Sequence, residues 1–245
     1  RDVYKRQILD EVLVWISNLK GDDNEKKWIK ILTFLPLILA IIAVGFMDKK
    51  IPIHYDIAGN VDRWGSRYEI FILPLATFLM AGFLLWMQKF AAKQESQGNN
   101  NEKYIDMTII VCLIIFNVIN FLIIYSGLAK LEKLEFKGIG LAQIVLGLTG
   151  LLFIFLGNKM PKVKRNSLVG LRTKWSMAND YVWKKSQRSA GIIFIVMGII
   201  FMIFPIIFKL EKTFIYFLII TALCVSAMIL SSYIIYKKYG DIEDK

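Results

Sequence analysis

Residues 107–129 read MTIIVCLIIFNVINFLIIYSGLA, a run of 23 positions without a charged side chain. A helix of about 20 apolar residues crosses a hydrocarbon core of ~30 Å. Lipid offers no partner to backbone polar groups, so such a run must be a helix or a strand of a closed barrel. A barrel strand would alternate apolar and polar residues, and this run does not. The stretch therefore predicts a transmembrane helix.

Five further apolar runs accompany it: Ile31–Met47, Ile70–Lys89, Gly138–Leu156, Ala190–Phe208 and Phe214–Tyr236. Hydrophobic residues make up 56% of the 245-residue chain and its mean hydropathy is +0.51, whereas an ordinary soluble domain is ~45–50% apolar. The sequence therefore excludes a single soluble domain. It predicts an all-α polytopic membrane protein with about six transmembrane helices.

The positive charge is unevenly distributed between the two sides of this arrangement. Of the 31 Lys and Arg residues, 22 fall on the side that holds both chain ends. Cytoplasmic loops of membrane proteins carry an excess of Lys and Arg. Both termini are therefore predicted to be cytoplasmic, and the net charge of +11 indicates topology and contact with anionic membrane lipid. Direct nucleic acid binding is not expected.

Loop lengths divide the chain into unequal parts. Residues 1–7 do not fit the pattern that follows and indicate a truncated or artefactual start, while Ile8 to Leu19 show the spacing of an amphipathic helix. The predicted parts are an N-terminal cytoplasmic segment (1–27), a two-span unit (28–90) with an outer loop (48–69), a flexible linker (91–106), and a four-span unit (107–245) with a cytoplasmic loop (157–189).

The outer loop contains His54, the only histidine of the chain, with Asp56, Gly59 and Asp62 close by. Gly59-Asn60 is a turn signal. The acidic spacing does not match a calcium loop, and a lone histidine cannot hold a metal ion. No nucleophile–base set is visible either, so we expect no metal, no cofactor and no enzymatic activity. The four residues are candidates either for shaping the loop or for contacting an external ligand.

The cytoplasmic loop is basic and contains two tryptophans. Gly157-Asn158 is typical of a helix stop, with Pro161 preventing its resumption, and Ser176 is a candidate cap for a helix that continues into the fifth span. Trp175 and Trp183 would then share one helix face. They are interpreted either as interfacial anchors or as part of a binding surface for a cytoplasmic protein. The candidates here are Asn158, Pro161, Asn166, Gly170, Arg172, Trp175 and Trp183.

Polar residues are scarce inside the spans. Asn117 and Asn120 lie one turn apart in the third span, and Gln143 lies in the fourth. They are expected either to bond neighbouring helices or to line a polar path. In the last span, Ala222 with Ser226 and Ala227 with Ser231 have the spacing of close helix packing. No Asp, Glu, Arg or His lies mid-span, which argues against an ion-coupled transporter.

The two loops together resemble the SdpI family of bacterial membrane immunity proteins, whose N-terminal part carries the DUF1648 domain. The first motif is formed by Pro52, His54, Tyr55, Asp56, Gly59, Leu73 and Pro74. The second is formed by Gly157, Asn158, Met160, Pro161, Asn166, Gly170, Arg172, Thr173, Trp175, Val182 and Trp183. The chain departs from the family pattern in carrying Lys174 for a proline, Ser176 for a threonine and Ser186-Gln187 for Thr-His.

The resemblance covers roughly Trp28 to Tyr236 and implies a function. It implies a multi-pass protein of the bacterial cytoplasmic membrane that protects its own cell against a secreted killing peptide, an SdpC-like toxin or bacteriocin. It further implies signal transduction, in which a cytoplasmic DNA-binding autorepressor is held at the membrane. The alternative from the residues is a small-substrate transporter or permeability pathway lined by Asn117, Asn120 and Gln143.

Overall fold

The computed structural model describes residues 24–56, 58–94, 101–136, 139–166, 168–208 and 213–241. The predicted amphipathic helix at Ile8 to Leu19 and the middle of the predicted linker lie outside these residues. Six long helices run up and down in chain order: α1 (Asn24–Ala43), α2 (Ile72–Gln94), α3 (Glu102–Ala129), α4 (Leu141–Lys159), α5 (Asp180–Ile207) and α6 (Thr213–Tyr239).

Two short antiparallel hairpins lie at one end of the bundle, which we call the hairpin end. β1 (Lys50–Tyr55) pairs with β2 (Val61–Ser66), so that Ile51 faces Gly65 and Tyr55 faces Val61. A 3-10 turn, Arg67–Phe71, leads from β2 into α2. β3 (Glu135–Phe136) pairs with β4 (Ile139–Gly140) between α3 and α4. The opposite end, which holds residues 160–166 and 168–179, is called the loop end.

Five of the helices are long and apolar enough to cross a membrane, namely α2 to α6. Together with the predominance of helix, this confirms a polytopic all-α membrane protein. α1 is not among the five because Lys26, Lys27 and Lys30 lie in its first two turns. Its apolar part runs from Ile31 to Ala43. The sequence predicts that Ile31–Met47 crosses the membrane. For α1 this stays a prediction.

The helices form two groups that meet along α3. α1, α2 and α3 bury a cluster around Ile29, Ala81, Ile105, Ile109 and Leu113. α4 and α5 form the most extensive helix pair of the described residues, and α6 packs against α5. Near the hairpin end, Leu122 of α3 and Leu134 are buried in a cluster that also contacts Leu141 and Ile144 of α4. This contact joins the two groups.

Glycines explain how closely α4 and α5 approach. A Cβ atom on Gly150 would lie 2.5 Å from the carbonyl oxygen of Gly198, and one on Gly157 would lie 2.5 Å from that of Gly191. Only glycine lets two helix backbones meet at this distance. The predicted helix stop at Gly157-Asn158 lies one residue early: α4 continues to Lys159, and a 3-10 turn with Pro161 follows.

The small residues predicted to pack in the last span have a different position. Ala222, Ser226 and Ala227 are exposed on α6. The prediction of close packing within the chain is wrong for these three residues. Spacing identifies a narrow stripe on a helix, but it does not say which neighbour the stripe faces.

Candidate functional site

At the hairpin end, the turn between β1 and β2 is tied to the segment that follows α3. Gly59 has a φ of 84°, which a residue with a side chain rarely adopts. Its carbonyl oxygen accepts a hydrogen bond of 2.8 Å from the backbone N–H of Leu134, and the N–H of Val61 donates to Glu132. A Cβ atom at Gly59 would lie 3.0 Å from the Leu134 carbonyl oxygen. Gly59 thus permits both the turn and its docking.

Asp56 closes the same turn. One of its carboxylate oxygens accepts a 2.8 Å bond from the backbone N–H of Asn60, and the other accepts a 3.2 Å bond from the Asn60 side-chain amide. These bonds favour the charged carboxylate and lower the pKa of Asp56 from its usual range. Asp56 and Gly59 therefore shape the turn, and the Asp56 side chain stays exposed.

His54 and Asp62 meet across the two strands. The Nδ1 atom of His54 lies 2.6 Å from a carboxylate oxygen of Asp62, and both side chains are exposed. Beside them, Arg63 pairs with Glu69 at 2.6 Å, and Glu69 also accepts a bond from the backbone N–H of Ser66. The four outer candidates thus lie on one hairpin. His54 and Asp62 present charged and polar atoms to the exterior.

Tyr55 anchors this hairpin to the bundle, a role that sequence reasoning missed. Its buried hydroxyl donates a 2.6 Å hydrogen bond to the Ser126 hydroxyl on α3. Burial raises the pKa of the Tyr55 phenol, and the bond with Ser126 opposes this only in part. The signal in the sequence is the alternation along β1, which places Tyr55 on the opposite strand face from His54.

Replacing Tyr55 by phenylalanine is expected to lower the free energy of unfolding by about 1 kcal/mol, because one buried hydrogen bond is lost. In the wild type, the unfolded phenol ionises from about pH 10 while the folded phenol keeps its proton. Stability is therefore fully present below that pH and falls as the pH rises toward the folded pKa. The variant should lack this alkaline loss when unfolding is followed in detergent between neutral and alkaline pH.

Tyr68→Phe is the matched control, since Tyr68 is exposed on the same hairpin end. It should change neither the stability nor its pH dependence. Identical profiles for the two variants would contradict the role given to Tyr55.

Asn117 and Asn120 both join α3 to neighbouring helices. The Asn117 amide donates a 2.7 Å bond to the Leu32 carbonyl of α1. That carbonyl has no intrahelical donor, because the residue four positions on is Pro36, which lacks an N–H. Asn120 donates a 3.0 Å bond to the Thr77 hydroxyl of α2, and its buried carbonyl oxygen has no partner among the described residues. α3 is thus held to α1 and α2 by separate amides.

Gln143, near the start of α4, also bonds a neighbouring helix. Its carbonyl oxygen accepts a 2.8 Å bond from the backbone N–H of Gly140, and its amide donates a 2.8 Å bond to the Pro205 carbonyl in the last turn of α5. Both partners are terminal helix groups that lack intrahelical bonds. The contacts of Asn117, Asn120 and Gln143 are those of helix packing.

At the loop end, residues 163–166, 168 and 169 are held against the N-terminal helices. The side chain of Asn101, which precedes α3, both donates to and accepts from the backbone of Lys164, each at 3.0 Å. The carbonyl oxygen of buried Asn166 accepts bonds from the N–H groups of Leu168 and Val169. Those two residues pack on the apolar cluster of α1, α2 and α3. Asn166 therefore makes the turn that joins the loop to these helices.

The segment 170–176 is fixed from the opposite side by α5 and α6. Fully buried Gln187 accepts a 2.9 Å bond from the N–H of Leu171 and donates one of 2.9 Å to its carbonyl. Thr173 accepts a hydrogen bond from the N–H of Ser176, and its hydroxyl lies 2.9 Å from that of Ser232 on α6. Gly170 has a φ of 103° and faces Gln187, where a Cβ atom would clash. The backbone on both sides of Arg172 is thus held rigidly.

Arg172 itself points outward. Its side chain is exposed and makes no hydrogen bond or ion pair within the part of the chain that the structure describes. Asn158 and Pro161 are also exposed at this end. A guanidinium is a strong donor to carboxylates and phosphates, and a fixed backbone lowers the entropic cost of using it. Arg172 is the inner candidate best placed to contact another molecule.

The two tryptophans do not share a helix face, contrary to expectation. α5 begins only at Asp180, so Trp175 lies before the helix and packs edge-to-face on Tyr233 of α6 at 5.1 Å. Trp183 lies in the first turn of α5 with 2% of its surface exposed, and its indole N–H donates a 2.8 Å bond to the Val163 carbonyl. Trp183 is therefore a buried anchor, while Trp175 is half-exposed.

The cap of α5 is Asn179, so the predicted cap at Ser176 is wrong. The Asn179 carbonyl oxygen accepts a bond from the N–H of Val182, and its amide donates to the carbonyls of Tyr239 and Gly240 at the end of α6. Ser176 instead bonds the Leu171 carbonyl at 2.7 Å. An asparagine has both a donor and an acceptor, so it can serve one helix start and one helix end, which a serine cannot do as readily.

These features define a multi-pass helical membrane protein with an exposed hairpin at one end and a braced loop at the other. Within the described residues, no three His, Cys, Asp or Glu side chains are grouped to hold a metal ion. Cys112 and Cys224 are both free thiols.

Comparison with known proteins confirms the resemblance seen in the two loops. Residues 162–233 match the SdpI/YfhL protein family, and residues 31–78 match a domain of unknown function, DUF1648. The chain therefore carries an SdpI-family region and a DUF1648 region. It is 23% identical to the immunity protein SdpI of Bacillus subtilis (strain 168) over 209 residues, which make up 85% of this chain and 94% of that protein. No solved structure matches.

Proposed function

We propose that this chain is a non-enzymatic immunity protein of the bacterial cytoplasmic membrane that protects its cell against a secreted killing peptide. The observation that carries the proposal is the similarity to an immunity protein over 94% of that protein's length. Both termini are then cytoplasmic, the hairpin end faces outward and the loop end faces the cytoplasm. The distribution of Lys and Arg supports this orientation.

The hairpin is the surface we assign to the peptide. His54, Asp62 and Arg63 expose charged and polar atoms there, and the turn at Asp56 and Gly59 is held in place by the segment after α3. A surface that is fixed before binding loses little entropy when a ligand arrives. A toxin of the SdpC type would be recognised on this side.

The loop end is the surface we assign to signalling. A cytoplasmic DNA-binding autorepressor would be held there by Arg172, with half-exposed Trp175 in the same loop and exposed Asn158 at the end of α4. Trp183 and Asn166 contribute indirectly, because both are buried and support the loop. α3 is connected to both surfaces, through Ser126 near one end and through Asn101, which precedes it, at the other. Signalling requires the toxin to bind two arrangements of these helices unequally.

The contacts of the intramembrane polar residues do not favour the transporter alternative. The amides of Asn117, Asn120 and Gln143 all bond backbone or side-chain atoms of neighbouring helices.

Survival of a sensitive bacterium that expresses the chain, challenged with a panel of secreted killing peptides, tests the proposal. The intact chain should protect against at least one peptide. Arg172→Ala should weaken protection and reduce membrane recruitment of a fluorescently tagged autorepressor by at least about tenfold, since a charge-assisted hydrogen bond is worth roughly 1.5–3 kcal/mol. Lys184→Ala, which removes another exposed charge of the loop end, should leave both readouts unchanged.

Two results would count against the assignments. Retention of both protection and recruitment by Arg172→Ala, at normal membrane levels, would show that the loop-end assignment is wrong. Absence of protection by the intact chain against every peptide would remove the immunity proposal and make flux measurements the next step.

A further inference from the structure

The loop end carries aromatic rings and lysines, and of these the proposed function uses only Trp175. Two edge-to-face ring pairs connect the end of α6 to the preceding elements: Trp175 with Tyr233 at 5.1 Å, and Tyr181 with Tyr239 at 5.2 Å. Because the rings come from α5, α6 and the turn before α5, the pairs hold these three segments together.

A lysine lies over a ring in each pair. The ammonium nitrogens lie 5.3 Å from the Trp175 ring centre for Lys174, 5.5 Å from that of Tyr181 for Lys185, and 5.3 Å from that of Tyr239 for Lys238. We call these three the ring-bound lysines. A cation within about 6 Å of a ring centre is attracted to the ring face. Each ammonium group is therefore restrained on one of the two ring pairs, and both pairs include a tyrosine of α6.

Carboxylates are scarce on the described segments that carry these lysines. Between residues 168 and 208 the described chain has one, Asp180, which pairs with Arg165 at 2.8 Å. On the last three turns of α6 and just beyond, it has only Asp241. None of the ring-bound lysines makes an ion pair within the described residues. The cluster consequently combines several positive charges with unused N–H donors, which is complementary to an anion.

The distance of these lysines from the hydrocarbon core indicates the kind of anion that they meet. Lys185 lies five residues before Ala190, where the apolar run of α5 begins, and Lys238 lies two residues after Tyr236, where that of α6 ends. At 1.5 Å per residue these separations are about 7 Å and about 3 Å. The headgroup layer on each side of the hydrocarbon core is roughly 5–8 Å thick. Lys185 and Lys238 thus lie at the level of lipid phosphates, and Lys174 is linked to the same end of α6 through Trp175 and Tyr233.

We propose that Lys174, Lys185 and Lys238, with Trp175, Tyr181 and Tyr239, form a binding site for the headgroup of an anionic phospholipid. The ammonium groups bond phosphate oxygens, and the rings hold the lysine side chains and pack on the lipid glycerol and upper acyl chain. Aromatic residues with one polar end are favoured at this depth. The site binds the end of α6 to α5 through a lipid and does not depend on the immunity function.

Lipid binding to the purified full chain tests this proposal. The protein is kept in a neutral detergent and titrated with phosphatidylglycerol or with phosphatidylcholine, and bound lipids are counted by native mass spectrometry. Detergent removes the charged bilayer surface, so local contacts dominate the result. The wild type should bind phosphatidylglycerol about tenfold more tightly than phosphatidylcholine.

The triple variant K174Q/K185Q/K238Q removes the ring-bound lysines and should lose this preference. The matched control K162Q/K184Q/K237Q removes the same charge from exposed lysines of the same end that contact no ring in the described structure. Its affinity should change by no more than about twofold. Circular dichroism confirms folding of both, and the single variant K185Q, expected to weaken binding by about threefold, repeats the test with minimal disturbance.

Equal losses in the two triple variants, or no loss in either, would overturn the site, because general charge would then explain the binding. A poly-glutamate peptide distinguishes the remaining possibility. If the ring-bound variant loses binding of this peptide but keeps its preference for phosphatidylglycerol, the cluster recognises an acidic protein, and the lipid site is wrong.

Discussion

Gly150→Ala is expected to destabilise the protein by about 2–3 kcal/mol, in the upper part of the range for overpacked sites. The added methyl group would lie 2.5 Å from the carbonyl oxygen of Gly198 and 2.8 Å from the Met202 side chain. Backbone cannot move aside as a flexible side chain can, so α4 and α5 must separate along their contact. Gly157→Ala should act similarly, because its methyl group would lie 2.5 Å from the Gly191 carbonyl oxygen.

Gly147→Ala is the control for this prediction. Gly147 lies on α4 three residues from Gly150, and a Cβ atom there would have no neighbour within 4 Å. It should be neutral or slightly stabilising, since alanine favours a helix over glycine. Unfolding in mixed micelles measures all three variants. If Gly150→Ala unfolds at the same denaturant level as Gly147→Ala, the close α4–α5 contact does not exist as described.

Trp183→Ala is expected to cost about 3–5 kcal/mol, the range for removing a large buried aromatic side chain. Its indole fills the space between the start of α5 and the segment at Val163, and it satisfies the Val163 carbonyl. Trp183→Phe should cost less, about 1–3 kcal/mol, because it mainly leaves that buried carbonyl without a donor. Thermal unfolding in detergent distinguishes the two variants from the wild type.

Trp175→Ala provides the comparison, since Trp175 is half-exposed and contacts Tyr233 at the surface. It should cost about 1 kcal/mol, the value of an aromatic pair. If Trp183→Ala is as stable as Trp175→Ala but loses protection against the peptide, Trp183 would be a contact residue for a partner and not an anchor.

The helices and their order follow directly from the sequence. An apolar run such as residues 107–129 forms an α-helix in lipid, because every backbone polar group must be hydrogen-bonded within the segment. The ends of the helices do not follow in the same way. α5 begins at Asp180, ten residues before its apolar run, and the polar first turns are stabilised by the Asn179 cap and by buried Trp183 and Gln187. Hydropathy does not record such contacts.

For the candidate residues, the sequence likewise predicts their location but not their roles. The motif positions identified from the sequence do lie in two compact regions, one at each end of the bundle. Their roles within those regions depend on contacts with distant segments. Arg172 is exposed because Gln187 and Ser232, 15 and 60 residues away, hold its neighbours. Tyr55 is an anchor because Ser126 lies beneath it. Neither partner is marked by local spacing.

The sequence by itself determined the membrane class, the series of apolar helices and the two loops that carry chemistry, since these depend on local composition and on the solvent around each segment. The tertiary structure alone decided which glycines meet, which asparagines cap or bridge helices, and which loop residues are buried. These features depend on the distance between atoms far apart in the chain. A polar side chain that bonds a freed carbonyl, as Asn117 does at Leu32, becomes recognisable only when the two helices lie side by side.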